Sequence, residues 1–182
     1  MLRPARAFTR ASRRRLLGTG LLLAVLCAPA ATLIIPAALA AGEAPATAAQ
    51  PELAKQPLAI TGTDGVRHAF SVEMATTPAQ QETGLMFRTA VPADGGMLFD
   101  WGAPRQSMMW MKNTLVPLDM LFIAQDGTVS HIAENTVPHS LAVIDGRAPV
   151  RATLELAAGT AQRLNLTVGA RVEGGGFGPA KP

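Results

Sequence analysis

The sequence predicts a mainly β domain: a compact antiparallel β sandwich or barrel with two short helices. Three observations carry this. Short apolar runs of strand length recur between residues 57 and 173. Turn signals such as Thr63-Asp64-Gly65, Asp126-Gly127 and Asp145-Gly146 separate them. Only Thr77-Pro78-Ala79-Gln80 and Gly159-Thr160 carry helix-start chemistry. Many short strands with two small helices favour a sandwich or barrel over an alternating α/β layer fold.

The first 40 of the 182 residues read as an export signal. Six arginines, from Arg3 to Arg15, precede Leu16 with no acid among them. No charged side chain follows until Glu43, and Ala38-Leu39-Ala40 supplies a small-x-small cleavage site. Ser12-Arg13-Arg14-Arg15-Leu16-Leu17 is also similar to a twin-arginine signal, with Leu16 where Phe is preferred. Cleavage near Ala40 and a periplasmic location are expected. The alternative is an uncleaved inner-membrane anchor, although Pro29 and Pro36 interrupt the apolar run. Six of the 16 basic residues and none of the 13 acidic ones lie in this segment. The remainder carries 10 against 13, so the net charge changes from +3 to −3 and no nucleic-acid footprint is left. Cys27 is the single cysteine and sits in the signal, so the core must hold without a disulfide.

Residues 41–56, rich in Ala, Pro, Glu and Gln, read as a flexible spacer. Residues 57–173 form the one expected domain, and 174–182 read as a disordered Gly/Pro tail. Leu58-Ala59-Ile60 and Val66–Met74 are the first strands. In the second, Val66, His68, Phe70, Val72 and Met74 share a face, which makes His68 a packing histidine before a metal ligand. Thr77 caps the first helix, Pro78 opens it, Gln80 completes a capping box and Gly84 ends it. Arg88 follows three large apolar residues and can anchor a carboxylate, in the fold or in a ligand.

Met97-Leu98-Phe99 is a buried strand and 100–105 a loop. Residues 107–112 then read as a strand apolar on both faces, with Met109 and Met111 on one and Met108 and Trp110 on the other. Such a strand is expected to be covered on both sides. Residues 118–124 and 128–133 make a hairpin whose two-residue Asp126-Gly127 turn pairs Phe122 with His131. Asp119 shares a face with Leu121 and Ile123. His139 falls in an irregular stretch and Asp145-Gly146 in a turn. In 151–156, Ala152, Leu154 and Leu156 face one way, and Arg151, Thr153 and Glu155 the other. Residues 161–164 form the second helix, stopped by Asn165, and 171–173 close the domain.

The polar island Lys112-Asn113-Thr114, with Asp119 beyond Pro117, stands out against the apolar segments around it. Four strings occur in one order: GLMFR (84–88), GMLF (96–99), WMKNTLVPLD (110–119) and LELAAG (154–159). Together they resemble the domain-of-unknown-function 192 family over about residues 66–173. Met109, where the family usually has Phe, and Asn165, where it usually has Gly, depart from the pattern. The resemblance implies a compact, mainly β fold with short helices and brings no established activity.

Residue chemistry leaves three functional readings. In the first, a non-catalytic module binds an unknown small molecule or envelope protein. Arg88, Trp110, Lys112, Asn113, Thr114, Asp119 and Glu155 would line its cleft. The competing structural reading makes the island an internal lock, with Lys112 paired to Asp119 or Glu155. In the second, Lys112 beside a carboxylate acts as base or nucleophile in a hydrolase or lyase. In the third, Met109 and Met111 present two thioethers to Cu(I) in the periplasm, against their ordinary role as core filler. No cofactor and no nucleic-acid partner is expected, and the membrane enters only through an uncleaved signal.

Overall fold

The computed structural model describes residues 46–178. The expected signal peptide with its cleavage site, Cys27, the first residues of the spacer and the end of the tail lie outside the described residues. The elements run β1 (Lys55–Thr61), β2 (Arg67–Ala75), α1 (Pro78–Thr83), β3 (Gly95–Met109), β4 (Leu118–Ile123), β5 (Val129–Ala133), β6 (Ile144–Ala157), α2 (Thr160–Arg163) and β7 (Arg171–Gly174).

The strands form one seven-stranded sheet in the order β5-β4-β6-β3-β2-β1-β7. The choice between sandwich and barrel therefore falls on a single curled sheet. Every neighbouring pair is antiparallel except β2 and β3. Parallel neighbours need a crossover, and α1 lies in it. The edge strands β5 and β7 approach each other at the bridge Thr128↔Arg171. Val129 N–H donates to Ala170 C=O (2.8 Å) and Val172 N–H to Gly127 C=O (2.8 Å) across this seam. Arg171 reinforces it through the Thr128 hydroxyl and the Asp126 carbonyl.

Strand alternation builds two cores on opposite sides of the sheet. One holds Leu58, Ile60, Phe70, Val72, Leu98, Leu121, Ile123, Leu154 and Leu156. The other holds Met97, Phe99, Met109, Met111, Leu118, Met120, Phe122 and Val150, with Leu85 packed among them. The face of β6 bearing Thr153 and Glu155 is thus buried too, under the second core.

Several local expectations are met in detail. Thr77 accepts from Gln80 N–H, Pro78 opens α1 and Gly84 ends it, with both halves of the capping box formed. Asn165 takes φ 51° after α2, the left-handed stop. Phe122 pairs with His131 and the rings stack, 5.5 Å apart at 16°. The turn differs from the expected two-residue form. Ala124 and Thr128 close a three-residue loop, with Gly127 at φ 85°. A bulge between Phe122 and Ile123 in the ladder then restores the expected register.

Five further readings are corrected. The spacer is docked from Gln50 onward: its side-chain amide donates to the carbonyls of Gln80 and Gly84, and Leu53 packs on the second core. Residues 100–105 belong to β3, but as an irregularity that swells out of the ladder between Asp100↔Ala152 and Arg105↔Val150. Asp145 and Gly146 lie within β6 rather than in a turn. Gly146 is required there because a Cβ would meet the Phe122 ring at 2.7 Å. Finally, the stretch around Met108–Trp110 is covered on one side only. Met109 and Met111 are buried, whereas Met108 is 68% and Trp110 45% exposed. Among the described residues Val137, Leu141 and Val143 of the 137–143 segment are exposed as well. At the C-terminal end, Phe177 bridges back to Gly174 and packs on the first core, so the tail is ordered at least that far.

Candidate functional site

The seven residues singled out in the sequence do not converge. Sheet parity explains the largest separation. On β4, Asp119 pairs with Leu156 of β6, whereas Met120 pairs with Glu155. Side chains one register position apart lie on opposite faces, so Asp119 and Glu155 cannot share a cleft. Asp119 is fully buried, and both its oxygens are used. Oδ1 accepts from Asn135 N–H (2.9 Å) and Oδ2 from Ala161 N–H (2.8 Å). The second bond satisfies a free donor in the first turn of α2, which its own N-cap, Gly159, cannot reach with a side chain. Asp119 is a structural clamp between β4, the segment after β5 and α2.

Arg88 likewise serves the fold. Its Nη2 lies 3.1 Å from Glu73 Oε2, and the same oxygen accepts from Leu53 N–H (2.7 Å). This pair pins the segment before β1. A cleft of about 450 Å³ beside it is lined by Glu52, Glu73, Arg88, Pro92 and Gly95. Its inner charges already neutralise each other.

Lys112 stands half-buried, its ammonium 5.0 Å from the Trp110 ring centroid, and takes part in no ion pair among the described residues. It pairs with neither Asp119 nor Glu155, so the expected internal salt bridge is absent. Asn113 adopts φ 57°, its carbonyl accepts from Phe87 N–H, and its amide touches the Met86 sulfur at 3.8 Å. Thr114 is buried and receives His139 N–H on its carbonyl. These bonds tie the connection between β3 and β4 to the 85–88 and 136–140 segments. Met111 is fully buried with the Thr136 hydroxyl 3.1 Å from its sulfur, and Met109 faces the same core. The pair therefore serves packing. Among the described residues no cluster of His, Cys, Asp and Glu could hold a metal ion.

Three of the seven do meet. Trp110, Thr114 and Glu155 line a cavity of about 320 Å³ that opens between α1 and β3. Glu82 of α1 and Leu85 and Met86 after it form one wall, and Phe99, Trp101, Arg105, Met108 and Met109 of β3 form another. Glu155 is 4% exposed and stands between Met97 of β3 and Met120 of β4, both fully buried. Its carboxyl takes part in no hydrogen bond or ion pair among the described residues; burial alone pushes its pKa from 4.5 to about 8. At neutral pH it is mostly a protonated acid facing the cavity. Trp101 donates its indole N–H to the Thr153 hydroxyl (3.4 Å), and the Arg105 guanidinium lies 4.1 Å from its ring centroid.

Trp101, Arg105 and Met86 were missed in the sequence. The available signal was the pairing of Trp101 with Arg105 in a stretch read as loop, a spacing that lets the cation fold back onto the indole. His131 keeps the packing role expected of it, stacked on Phe122, whereas His68 is half-buried in β2 with its Nε2 lacking a hydrogen-bond partner among the described residues. Burial lowers the His131 pKa, and His139 sits at φ 61° on the surface.

Residues 59–174 match the model of the DUF192 family, described as an uncharacterized ACR. Among solved structures, the chain is 52% identical to a protein from Sinorhizobium meliloti 1021, provisionally described as a transcription regulator. That match covers 70% of this chain and 99% of the other, with a TM-score of 0.68. It is 40% identical to a protein of unknown function from Novosphingobium aromaticivorans DSM 12444, over 72% of this chain and 94% of that one, with a TM-score of 0.65. No curated protein matches it. The family model begins within β1, at residue 59, and ends with β7, so it takes in strands β2 to β7 entirely and the last three residues of β1, and the chain belongs to the DUF192 family.

Proposed function

We propose that this protein is an exported, non-catalytic module that binds a small molecule in the cavity floored by Glu155. One observation carries the reading: a buried carboxyl with no partner among the described residues faces an open cavity walled by two indoles and three methionines. A buried carboxyl without hydrogen bonds is costly to keep, and a ligand is the natural source of the missing partner. The cavity is at the small end of ordinary ligand sites, which run roughly 300–1,000 Å³, and has their composition of apolar wall with few polar groups. Periplasmic delivery rests on the first 40 residues, with their basic head, apolar run and Ala38-Leu39-Ala40. A lysine-based mechanism finds less support, because Lys112 forms no ion pair with a carboxylate among the described residues. The net charge of −3 beyond residue 40 gives no basis for carrying over the regulator description of the Sinorhizobium protein.

A fragment screen on residues 46–178, read by backbone and indole NMR shifts, tests the proposal. Binders should move the Trp101 and Trp110 indole signals together with Glu155 and Thr114. Trp110→Ala should weaken them. If hits cluster instead at the Arg88 cleft, or no fragment moves the indole signals at millimolar concentration, the proposal fails.

A further inference from the structure

We infer that the ligand is an organic ammonium ion, held by the Glu155 carboxylate in the cavity that Trp101 and Trp110 line. The inference rests on the binding reading above and names the ligand class. Its first support is what the fold leaves out. Among the described residues Glu155 takes part in no ion pair and accepts no hydrogen bond, whereas the other two buried carboxylates are held: Asp119 by two backbone amides, Glu73 by Arg88 and Leu53 N–H. An ammonium with N–H donors supplies both the charge and the hydrogen bonds.

The walls give the second support. Indole faces attract cations, and methionine sulfur is a soft, polarisable neighbour. Both tryptophans already hold a cation of the protein near a ring face, Arg105 at Trp101 and Lys112 at Trp110. The third support is charge balance. The other charged groups lining the cavity are Glu82 of α1 and Arg105 of β3, which cancel, while Lys112 stands at the Trp110 ring outside the lining. β4 and the segment after α1 contribute none, Arg88 being spent on Glu73. With Glu155 ionised the cavity is one charge negative, and a monocation restores neutrality. An anion would leave it charged whichever form Glu155 took.

The proton balance follows. The free site holds Glu155 as the neutral acid. The ammonium enters with its own protons, the carboxyl proton leaves to solvent, and an N–H···O⁻ pair replaces the O–H. Below the folded pKa of about 8, each pH unit therefore raises affinity about tenfold, and above it the dependence flattens until the amine itself deprotonates.

The test uses three probes that share a phenyl ring: benzylammonium, benzyl alcohol and benzoate. The chain has two tryptophans and both line the cavity, so intrinsic fluorescence reports on this site alone. Benzylammonium should bind most tightly, with the pH slope just described and release of close to one proton in calorimetry across buffers of different ionisation enthalpy. Glu155→Gln should weaken benzylammonium at least tenfold at about pH 8 and abolish the slope, an effect far larger than on benzyl alcohol. Gln is isosteric and neutral, so the variant should fold, as circular dichroism and thermal unfolding will show. Preference for benzoate or benzyl alcohol, or a pH-independent benzylammonium affinity, would overturn the ammonium inference and leave the binding site standing. Failure of all three probes to perturb the fluorescence overturns the ammonium inference as well, and the fragment screen then decides the site.

Discussion

Asp119 and Glu155 are two buried carboxyls on neighbouring strands, one register position apart and on opposite faces of one sheet. The first accepts two backbone N–H bonds, and the second accepts none. The difference teaches that burial of a charged side chain is no sign of function in itself. What matters is whether the fold supplies the partners. Asp119 completes a helix start and a loop, and the protein depends on it for assembly. Glu155 is buried without such partners among the described residues, at a cost to stability.

The contrast can be broken in three ways. The largest expected effect is that of Asp119→Ala, which leaves the Asn135 and Ala161 amides unsatisfied in the interior. It should cost about 3–5 kcal/mol in urea unfolding, with faster hydrogen exchange at Ala161. A loss below about 1 kcal/mol would show that water replaces the clamp.

Next is the opposite response of Glu155. Its folded pKa of about 8 lies above the ordinary 4.5, so between those values the folded domain keeps a proton that the unfolded chain has lost. Stability is then full below about pH 4.5 and falls by about 1.4 kcal/mol per pH unit until about pH 8. Glu155→Gln removes that slope and should stabilise the domain by roughly 3 kcal/mol at pH 7, with little difference near pH 4.5. Denaturant titrations of both proteins across this window measure it. A variant less stable than the parent at pH 7 would mean that Glu155 has a structural partner after all.

The smallest effect belongs to Lys112→Ala. The ammonium lies 5.0 Å from the Trp110 ring centroid and takes part in no ion pair among the described residues, so the loss should stay within about 0.5–1 kcal/mol. If it approached that of Asp119→Ala, the polar island would be the internal lock that its composition first suggested.

Local chemistry was legible in the sequence. The capping box of Thr77 and Gln80, the Asn165 stop and the Phe122–His131 pair depend on a few residues read in order. The mainly β class followed from strand-length runs. The island was legible as a connection between two strands, and it proved to be one, tied down by Phe87, Met111 and His139. What could not be read was the relation between strands far apart in sequence. Asp119 was correctly phased with Leu121, and Glu155 was correctly set against Leu154. Only the β4–β6 register shows that these assignments put the two carboxyls on opposite faces. Grouping them as one cleft treated nearness to a motif as nearness in space. The walls of the cavity were hidden for the same reason, because β3 swells out of its ladder at 100–105 and brings Trp101 and Arg105 beside α1.

The seam between β5 and β7 carries a different consequence. An open sheet edge offers a row of unpaired amides and carbonyls on which another chain can add a strand. Here one edge strand is only four residues long, and the other is met at its start by Thr128↔Arg171 and the bonds around it. Beyond residue 40 the chain has no cysteine with which to fasten itself against misassembly. Its protection against stacking into fibres is therefore geometrical: the sheet satisfies its own margins and leaves little template exposed.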